Sequence, residues 1–409
     1  MTIESPLAIT LAPSRPSGSA SPRLLANPPL TPFLKWPGGK TLELPAIAAA
    51  APPLSGRFID PFVGGGSVLL AAPAEVPALA NDACRDLVEV YARAASGDNA
   101  FRVAVDGLAA AWDDLIRLDA LYAELALAEP SPDDDGAATL ADHLRSLGQV
   151  LGQAGPGLGR TFEDRIAPEL RAKLGRIRRL EARHGALSAP DLLANVEGAI
   201  RASVYMSVRA RYNAARLADR WDAIRAADFL FLREYAYAAM FRFNRRNEFN
   251  VPFGGISYNR KSLAEKGRLL FGPSMLARLM TTDFWSEDFE PFLAACAPAA
   301  DDFVFVDPPY DSDFSSYDNR AFDAADQVRL ERVLAALPAN VMVVIKDAPA
   351  IRALYPADRW QMVEAPKTYM WTIKSRNDRR ATHLTITNYS VATARGARQA
   401  PGATSLELG

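Results

Sequence analysis

The chain has 409 residues, a formal net charge of -2, 49% hydrophobic residues and two cysteines. This length allows two or three packed units with a sizeable core, whereas Cys84 and Cys296 alone cannot form a disulfide framework or a metal site. No stretch approaches the roughly 20 consecutive apolar residues that a membrane span needs, and the nearly balanced charge neither indicates nor excludes nucleic acid as a partner.

The two ends of the chain are predicted to be disordered tails, at 1–32 and 390–409. The first segment has no basic stretch before its short apolar run, and prolines interrupt that run, so it does not resemble a signal peptide. The scarcity of cysteine is typical of a reducing compartment. We therefore expect a cytoplasmic protein with no membrane partner.

The first predicted elements are a strand at 57–60, the turn "PFVGGGS", an apolar segment that could be helical, a second short strand ending at Asn81-Asp82, and a helix at 87–95. Alternation of strand, turn, helix and strand is typical of a parallel α/β sheet. The sequence therefore predicts that 33–99 begins an α/β domain.

From about 100 to 205 the sequence becomes rich in Ala, Leu and Arg with helical periodicity. Its densest basic segment contains Arg171, Lys173, Arg176, Arg178, Arg179 and Arg183. Such a charge run usually marks a solvated helix face, and a face that contacts phosphates is the alternative. Both interpretations remain open at this point.

After 283 the alternation of predicted strands and helices resumes. The predicted elements are a strand at 302–306, a helix at 324–337, a strand at 341–346, a helix at 348–355 and a β-hairpin at 367–389. The predicted fold is thus an α/β sheet with helices on both faces, formed by 33–99 and 283–389. A mainly helical insertion, 100–282, interrupts it.

The turn "DPFVGGGS" (60–67) predicts a ligand-binding loop, because glycine tolerates positive φ and lets the backbone approach a ligand closely. A tight structural turn explains the glycines alone equally well. Asp82 lies at the end of the next predicted strand, where an acid can accept hydrogen bonds from ribose hydroxyls. Together these features favour a nucleoside cofactor. No lysine of the phosphate-binding type follows the glycines, and the three histidines lie in separate contexts, so no metal site is predicted.

The segment "DFVFVDPPY" (302–310) is a strand that ends in an acid, two prolines and an aromatic residue. An acid at the carboxyl end of such a strand points into the crevice where ligands of these sheets bind. Asp307 and the Pro308 carbonyl are adjacent acceptors suited to an exocyclic amino group, since proline offers no N–H. Tyr310 offers a ring on which a base can stack, typically worth ~1–3 kcal/mol.

Several segments, in order, resemble those of the Dam-type (D12 class, alpha-group) DNA adenine-N6 methyltransferases. They are "FLKWPGGK", "FIDPFVGGGSVLL", "ANDACRDLVEVY", "VYMSVRARYN", "FRFNRRNEFNVPFG" and "DFVFVDPPY". The resemblance covers most of 33–389 and leaves out about 100–201. It implies a Rossmann-like methyltransferase sheet, S-adenosyl-L-methionine (AdoMet) as methyl donor, and double-stranded DNA as the substrate in which a flipped adenine is methylated.

The resemblance also implies roles for individual residues. The implied AdoMet pocket contains Trp36, Lys40, Asp60, Phe62, Gly64, Gly65, Gly66, Asp82, Asp283, Phe284 and Asp307. The implied catalytic motif is Asp307, Pro308, Pro309 and Tyr310. The implied DNA-binding residues are Tyr237, Arg242, Asn244, Asn250 and Pro252, with Tyr237 able to insert into the base stack.

The chain departs from the family pattern at Ala238-Ala239, where Asn-Gly is usual, and at Ile345-Lys346, where Ser-Asn is usual. These changes leave the recognition sequence open, because contacts with base edges set sequence choice. The alternatives are a catalytically silent methylase-like protein that binds DNA or a partner, and an RNA adenine methyltransferase. Oligomeric state, a monomer being compatible, and pairing with a restriction enzyme are also left open.

Overall fold

The computed structural model describes residues 21–25, 28–115, 148–149, 151–258, 261–309, 322–368 and 380–391. One sheet has seven strands: β1 (Phe58–Asp60), β2 (Ala78–Asn81), β3 (Thr282–Trp285), β4 (Phe303–Val306), β5 (Asn340–Lys346), β6 (Gln361–Thr368) and β7 (Arg380–Thr387). Their order is β3-β2-β1-β4-β5-β7-β6. Strands β1 to β5 pair in parallel, and β7 is antiparallel to β5 and β6. The predicted α/β sheet is confirmed.

The α-helices of the described residues lie on both sides of the sheet and in the insertion. They are α1 (Leu44–Ala50), α2 (Arg85–Ala95), α3 (Asn99–Asp114), α4 (Leu158–His184), α5 (Ala189–Leu217), α6 (Ala223–Tyr235), α7 (Leu263–Leu270), α8 (Pro273–Leu279), α9 (Phe289–Cys296), α10 (Ala324–Ala335) and α11 (Pro349–Leu354).

The central strand β4 shows why the apolar run in the sequence is unbroken. Successive side chains of a strand point to opposite faces. Phe303 and Phe305 pack into the core shared with α2, α3, α5 and α6, whereas Val304 and Val306 pack against α9, α10 and α11. Helices thus cover both faces of β4, so every position is buried, as is typical of parallel sheets.

The sheet joins two parts of the chain that are far apart in sequence. Phe58 of β1 pairs with Phe303 of β4, and the Asp302 carboxylate accepts hydrogen bonds from the Arg57 backbone N–H (2.6 Å) and from its guanidinium. Strand order reverses at β1, because β2 and β3 lie on one side of it and β4 and β5 on the other. Ligands of open α/β sheets bind at the carboxyl ends of the strands that meet at such a point.

The helices predicted for about 100–205 are confirmed in α3, α4 and α5. A four-residue link joins α4 to α5, and the two helices pack against each other along their lengths. The hairpin predicted at the end of the chain is also confirmed, as β6 and β7, although its tip, 369–379, lies outside the described residues.

Two local features differ from expectation. The apolar segment after the glycine turn forms only the short 3-10 turn Leu69–Ala71. Leu24, in the segment predicted as a tail, is buried in the main core, and the Leu25 N–H donates to the Ala71 carbonyl at 3.0 Å. Residues 1–20 and 26–27 of that tail, and the final segment, 392–409, lie outside the described residues. No helix in the described part of the chain is long and apolar enough to span a membrane.

Candidate active site

Three acids predicted from the sequence meet at the carboxyl edge of the sheet. Asp60 is the last residue of β1, and Asp82 and Asp307 each lie one residue beyond β2 and β4. Burial raises the pKa of Asp60 well above its ordinary value, and the charges of Asp307 and Asp82 raise it further, whereas the Phe62 N–H, at 3.1 Å, and Lys40 oppose the shift. Because β2, β1 and β4 are neighbours in the sheet, their carboxyl ends bring the three acids to the same edge.

Lys40 places a positive charge among these acids. Its side chain is 2% exposed, and its ammonium group donates to Asp307 Oδ2 and to the Gly38 carbonyl, the latter at 3.0 Å. The lysine comes from the opening segment, 33–40, and the aspartate from the end of β4. The sequence predicted both residues but not their ion pair, which orients the Asp307 carboxylate.

The glycine loop is bound to Asp82 through the backbone. The N–H groups of Gly64 and Cys84 donate to the two oxygens of the Asp82 carboxylate at 3.0 and 2.9 Å. Gly64 has φ +47°, and a Cβ on it would lie 2.8 Å from the Trp36 ring. Gly66 has φ +73°, and a Cβ there would lie 2.7 Å from the Tyr91 hydroxyl. Glycine is therefore required for conformation and for space at both positions.

Aromatic rings pack against the glycine loop. Trp36 lies against Gly64 and Gly65, and the Phe284 ring stacks on Tyr91 with centroids 5.0 Å apart, while the Tyr91 hydroxyl donates to the Gly64 carbonyl at 3.1 Å. The structure thus brings Trp36, Gly64–Gly66 and Phe284 together around Asp82.

Two other predicted cofactor residues have different surroundings. The Phe62 ring packs against Phe289 and Phe322 at 5.6 and 5.7 Å. Burial raises the pKa of Asp283. Burial also raises the pKa of the Cys296 thiol at the end of α9, and the charges of Asp302 and then Asp283 add to that shift against Arg57. Because alternate residues of β3 face opposite ways, Asp283 lies toward α9 while Phe284 lies toward α2.

The residues after Asp307 are held by α10. This helix begins with a capping box, in which the Asp323 side chain accepts the Ala325 and Asp326 N–H groups and Asp326 accepts that of Asp323. Gln327 in its first turn donates to the Pro309 carbonyl at 3.4 Å. Pro308 is buried and Pro309 is half-buried. Tyr310, the last residue of the predicted catalytic motif, lies outside the described residues.

The predicted DNA-binding residues lie in a turn and hairpin beyond α6. Tyr237 is 54% exposed, and its N–H donates to the Pro252 carbonyl at 2.9 Å, so these two residues are adjacent. The Arg242 guanidinium is exposed and donates to the side-chain oxygen of Asn250 at 3.1 Å. An exposed arginine oriented by a neighbouring amide is a suitable reader of a guanine edge.

Asn244 has an evident structural use. Its side-chain oxygen accepts the N–H groups of Arg246 (2.9 Å) and Glu248 (3.0 Å), and its amide donates to the Glu248 carboxylate. These bonds build the turn at the tip of the hairpin of residues 242–250, in which Phe243 pairs with Phe249. A direct base contact by Asn244 stays a prediction.

One fully buried and one partly buried arginine, neither identified from the sequence, connect this hairpin to the site. Arg233 is fully buried, donates to the carbonyls of Lys35 and Met240, and lies 4.9 Å from the Trp36 ring centroid. It therefore contacts both the predicted cofactor segment and the start of the hairpin. Its only sequence signal is an arginine in the apolar run "ADFLFLREY", where burial requires a partner.

Arg216 makes a second connection. It donates to Asp86 Oδ2 in α2 at 2.9 Å and to the carbonyl and side-chain oxygens of Asn247 at the hairpin tip, at 3.3 and 3.0 Å. Its guanidinium also lies 4.1 Å from the Phe243 ring centroid. Since α2 begins three residues after Asp82, the hairpin is anchored to the helix that follows the ribose-acid position.

The sheet is parallel with a reversal at β1, three of its strands end in acids, and a glycine loop is bound to one of them. These features define an α/β protein with a ligand-binding crevice at the carboxyl edge of the sheet. The model of the D12 class N6 adenine-specific DNA methyltransferase family matches residues 36–117 and 187–369, well over half of the chain. The chain belongs to this family, and it is a site-specific DNA adenine methyltransferase. The matched ranges leave out 118–186, which contains α4.

Curated relatives agree with this assignment. The chain is 24% identical over 369 residues to the Type II methyltransferase M1.LlaDCHI of Lactococcus lactis subsp. cremoris, covering 88% of this chain and 96% of that protein. It is 29% identical over 168 residues to the Type II methyltransferase M.CviBI of Paramecium bursaria Chlorella virus NC1A (40% and 61%). It is 30% identical over 162 residues to the Retron Ec67 DNA adenine methylase of Escherichia coli (39% and 53%).

Proposed function

We propose that the protein uses AdoMet to methylate N6 of an adenine that is turned out of double-stranded DNA into the cleft beside Asp307. The convergence of Asp60, Asp82 and Asp307 with Lys40 at the reversal point of the sheet carries this proposal. An adenine inside a duplex is out of reach, and turning it out costs a few kcal/mol. The exposed ring of Tyr237 is suited to replace it in the stack.

The charges of the site fit AdoMet. Three carboxyl groups and one lysine favour a ligand with positive groups, such as a sulfonium and an ammonium, over a polyphosphate. Asp82 retains acceptor capacity for ribose hydroxyls beside its two backbone donors. Gly64 and Gly66 keep the loop close to Trp36 and Tyr91, and the bound cofactor supplies an electrophilic methyl group.

The residues of the chain then position the nucleophile. Asp307 and the Pro308 carbonyl accept the two hydrogens of the adenine amino group, which localises the nitrogen lone pair toward the methyl carbon. Methyl transfer would break the C–S bond of AdoMet as the N–C bond forms, and Asp307 would be the adjacent acceptor for the amino proton that leaves. Lys40 fixes one oxygen of Asp307 before the base arrives, so catalysis rests on orientation.

Replacement of Asp307 tests this mechanism. Asp307→Ala should abolish transfer of label from methyl-labelled AdoMet to plasmid DNA, because the acceptor that orients the amino group is gone, while the melting temperature and much of the DNA affinity remain. Asp301→Ala is the matched control, since Asp301 is an exposed aspartate at the other end of the same strand. Robust labelling by the Asp307→Ala variant would exclude the proposed role.

Replacement of Arg242 tests the assignment of the hairpin. Long-read sequencing of DNA from cells that express the protein identifies the modified base and its sequence context. Arg242→Ala should relax that context, since a good bidentate base contact is worth ~1–3 kcal/mol. Arg245→Ala, at the exposed tip of the hairpin, should weaken methylation of all sites equally. An unchanged pattern in the Arg242 variant would place sequence recognition elsewhere.

The same sequencing addresses the biological setting. Two of the relatives are named Type II methyltransferases. We propose that this methyltransferase is paired with a restriction enzyme of the same specificity. Complete methylation of one short sequence in the cellular DNA would fit that role, because it would protect every cleavage site.

A further inference from the structure

We propose that one face of α4 extends the DNA-binding surface and contacts backbone phosphates outside the recognition sequence. The face consists of Arg165, Arg176, Arg179 and Arg183, called the α4 stripe below. The proposal rests on the proposed function, in that duplex DNA is the substrate. It adopts the phosphate-contacting interpretation of the basic segment, one of the two that the sequence left open.

The position of Arg165 relates α4 to the hairpin of residues 242–250. A cavity of about 370 Å³ lies between α4, α5 and this hairpin, and Arg165 lines it together with Arg209, Asn244, Glu248 and Asn250. Arg165 therefore faces the element that carries the predicted target-reading residues.

Helical geometry places other arginines of α4 on the same side of the helix as Arg165. At 100° per residue, Arg176, Arg179 and Arg183 fall within about 40° of the direction of Arg165. All three are exposed, whereas Phe162, Ile166 and Ile177 are buried. These apolar residues lie about 60° to 120° from Arg165, on the neighbouring side of the helix. The stripe thus runs beside the buried face and stays on the side of the hairpin.

The stripe is rich in unbalanced positive charge. Glu169 also lies on this face, but among the residues that the structure describes, no ion pair involves Arg176, Arg179 or Arg183. The pKa of Lys173 is lowered by burial and, secondly, by the charge of Arg176. The pKa of Arg209 is also lowered, by burial and by the charge of Arg165, although Tyr205 and Glu248 oppose the shift. Crowded like charges are costly for the free protein, and a polyanion relieves that cost.

The reach of the stripe matches a length of duplex. Arg183 lies about 27 Å along the helix from Arg165, at 1.5 Å per residue. That distance equals roughly eight base pairs, at about 3.4 Å for each phosphate of one strand. The hairpin that faces Arg165 also carries three exposed arginines, Arg242, Arg245 and Arg246. Because α4 lies in the segment that the family model leaves out, this contact would add to the binding surface of the family core.

The test uses the full chain with Arg176→Ala, Arg179→Ala and Arg183→Ala combined. Binding is measured by fluorescence anisotropy on a duplex of about 40 base pairs centred on the methylated sequence, and on one of about 14 base pairs that ends before the stripe. On the long duplex the variant should bind about tenfold or more weakly, and the slope of log Kd against log salt should fall by roughly 2–3, at ~0.9 per phosphate contact. On the short duplex its Kd should stay within about twofold of wild type, because the lost contacts lie outside it.

Two controls separate position from charge. Arg102→Ala, Arg332→Ala and Arg359→Ala combined remove the same charge from exposed arginines on other elements and should leave the dependence on duplex length unchanged. Arg176→Lys, Arg179→Lys and Arg183→Lys combined keep the positive charge and should keep the wild-type dependence of Kd on duplex length. This lysine variant still tests the proposal if the alanine variant does not fold.

Equal Kd values for wild type and the alanine variant on the long duplex would overturn the proposal, as would equal weakening on both duplexes. Failure of the proposed function would appear differently, as absence of plasmid methylation by the wild type. The stripe would then be tested with the two lengths of random duplex.

Discussion

At the scale of single residues, Asp82 shows how a binding group acquires its properties from its position. Burial is the largest influence on this carboxyl group and raises its pKa to about 6, although the N–H groups of Cys84 and Gly64 oppose the shift. The folded protein without ligand therefore holds the Asp82 proton more tightly than the unfolded chain does. The stabilising contribution of this group is full below pH 3.8, its ordinary pKa, and is lost as the pH rises through about 6.

Cofactor binding should have the opposite pH dependence. An ionised Asp82 can accept hydrogen bonds from both ribose hydroxyls, and protonation removes acceptor capacity. The Kd for AdoMet, measured by calorimetry, should therefore rise about tenfold between pH 7 and pH 5. Asp82→Asn should bind weakly at both pH values, with little difference between them. A wild-type Kd that is constant over this range would contradict the assignment of Asp82 as the ribose acceptor.

The position of Asp82, like those of Asp60 and Asp307, could be predicted from the sequence, because each acid ends a short apolar run and such strand ends meet at one edge of a sheet. Their partners could not be predicted. The Lys40 ion pair joins residues 267 positions apart, and the orientation of Asp283 depends on strand alternation within β3. Pairings of this kind arise from tertiary packing, which leaves no local pattern in the sequence.

At the scale of elements, the hairpin of residues 242–250 is held by the partly buried Arg216. Arg216 reaches Asp86 on one side and Asn247 and Phe243 on the other. Arg225 binds the same Asp86 carboxylate, at 2.7 and 3.1 Å, but lies over Trp221, outside the hairpin. The two arginines share an ion-pair partner, and of the two Arg216 is the one with these hairpin contacts.

This difference yields a matched pair of variants. Arg216→Ala should raise the KM for DNA about tenfold or more, because the hairpin tip loses its anchor, while the Kd for AdoMet changes less than about twofold; hydrogen bonds to charged groups are worth ~1.5–3 kcal/mol each. Arg225→Ala should lower the melting temperature with a smaller effect on that KM. If the two variants changed the KM equally, hairpin anchoring would not be the specific role of Arg216.

The turn before the hairpin shows where sequence rules fall short. Ala238 and Ala239 both have φ +51°, a conformation that favours glycine. The resemblance identified these positions as departures from Asn-Gly, yet residue propensity alone would not predict two left-handed alanines in succession. Surrounding contacts impose the shape: the Ala238 N–H donates to the Tyr258 hydroxyl at 3.1 Å, and the Ala239 N–H to the Ala236 carbonyl.

At the scale of the whole molecule, the sheet depends on contacts between two segments that are far apart in the chain. Asp302, 2% exposed, accepts hydrogen bonds from the Arg57 backbone and guanidinium and from the Ala299 N–H at 2.8 Å. One buried carboxylate thereby fixes the start of β1 against the start of β4. It lies at the edge of the sheet opposite the active site.

Asp302→Ala should therefore lower stability without altering the site. The variant leaves the N–H donors of Arg57 and Ala299 without their carboxylate acceptor. We expect the free energy of unfolding, measured by urea denaturation, to fall by about 2–4 kcal/mol. The Kd for AdoMet should be unchanged in the folded variant. The exposed neighbour provides the control, because Asp301→Ala should change stability by no more than ~0.5 kcal/mol. Equal stability of the two variants would show that Arg57 and Asp302 do not join the halves of the sheet.

The pairing of β1 with β4 also sets the timing of folding during synthesis. Arg57 emerges from the ribosome 245 residues before Asp302, which at about 5–20 residues per second is a delay of roughly 12–50 s. Throughout that interval one side of β1 has no neighbour to complete its hydrogen bonds, and unpaired strand edges of this kind promote aggregation. Chaperone demand in the cell should therefore be greatest for ribosome-bound chains that have β1 and β2 but not yet β4.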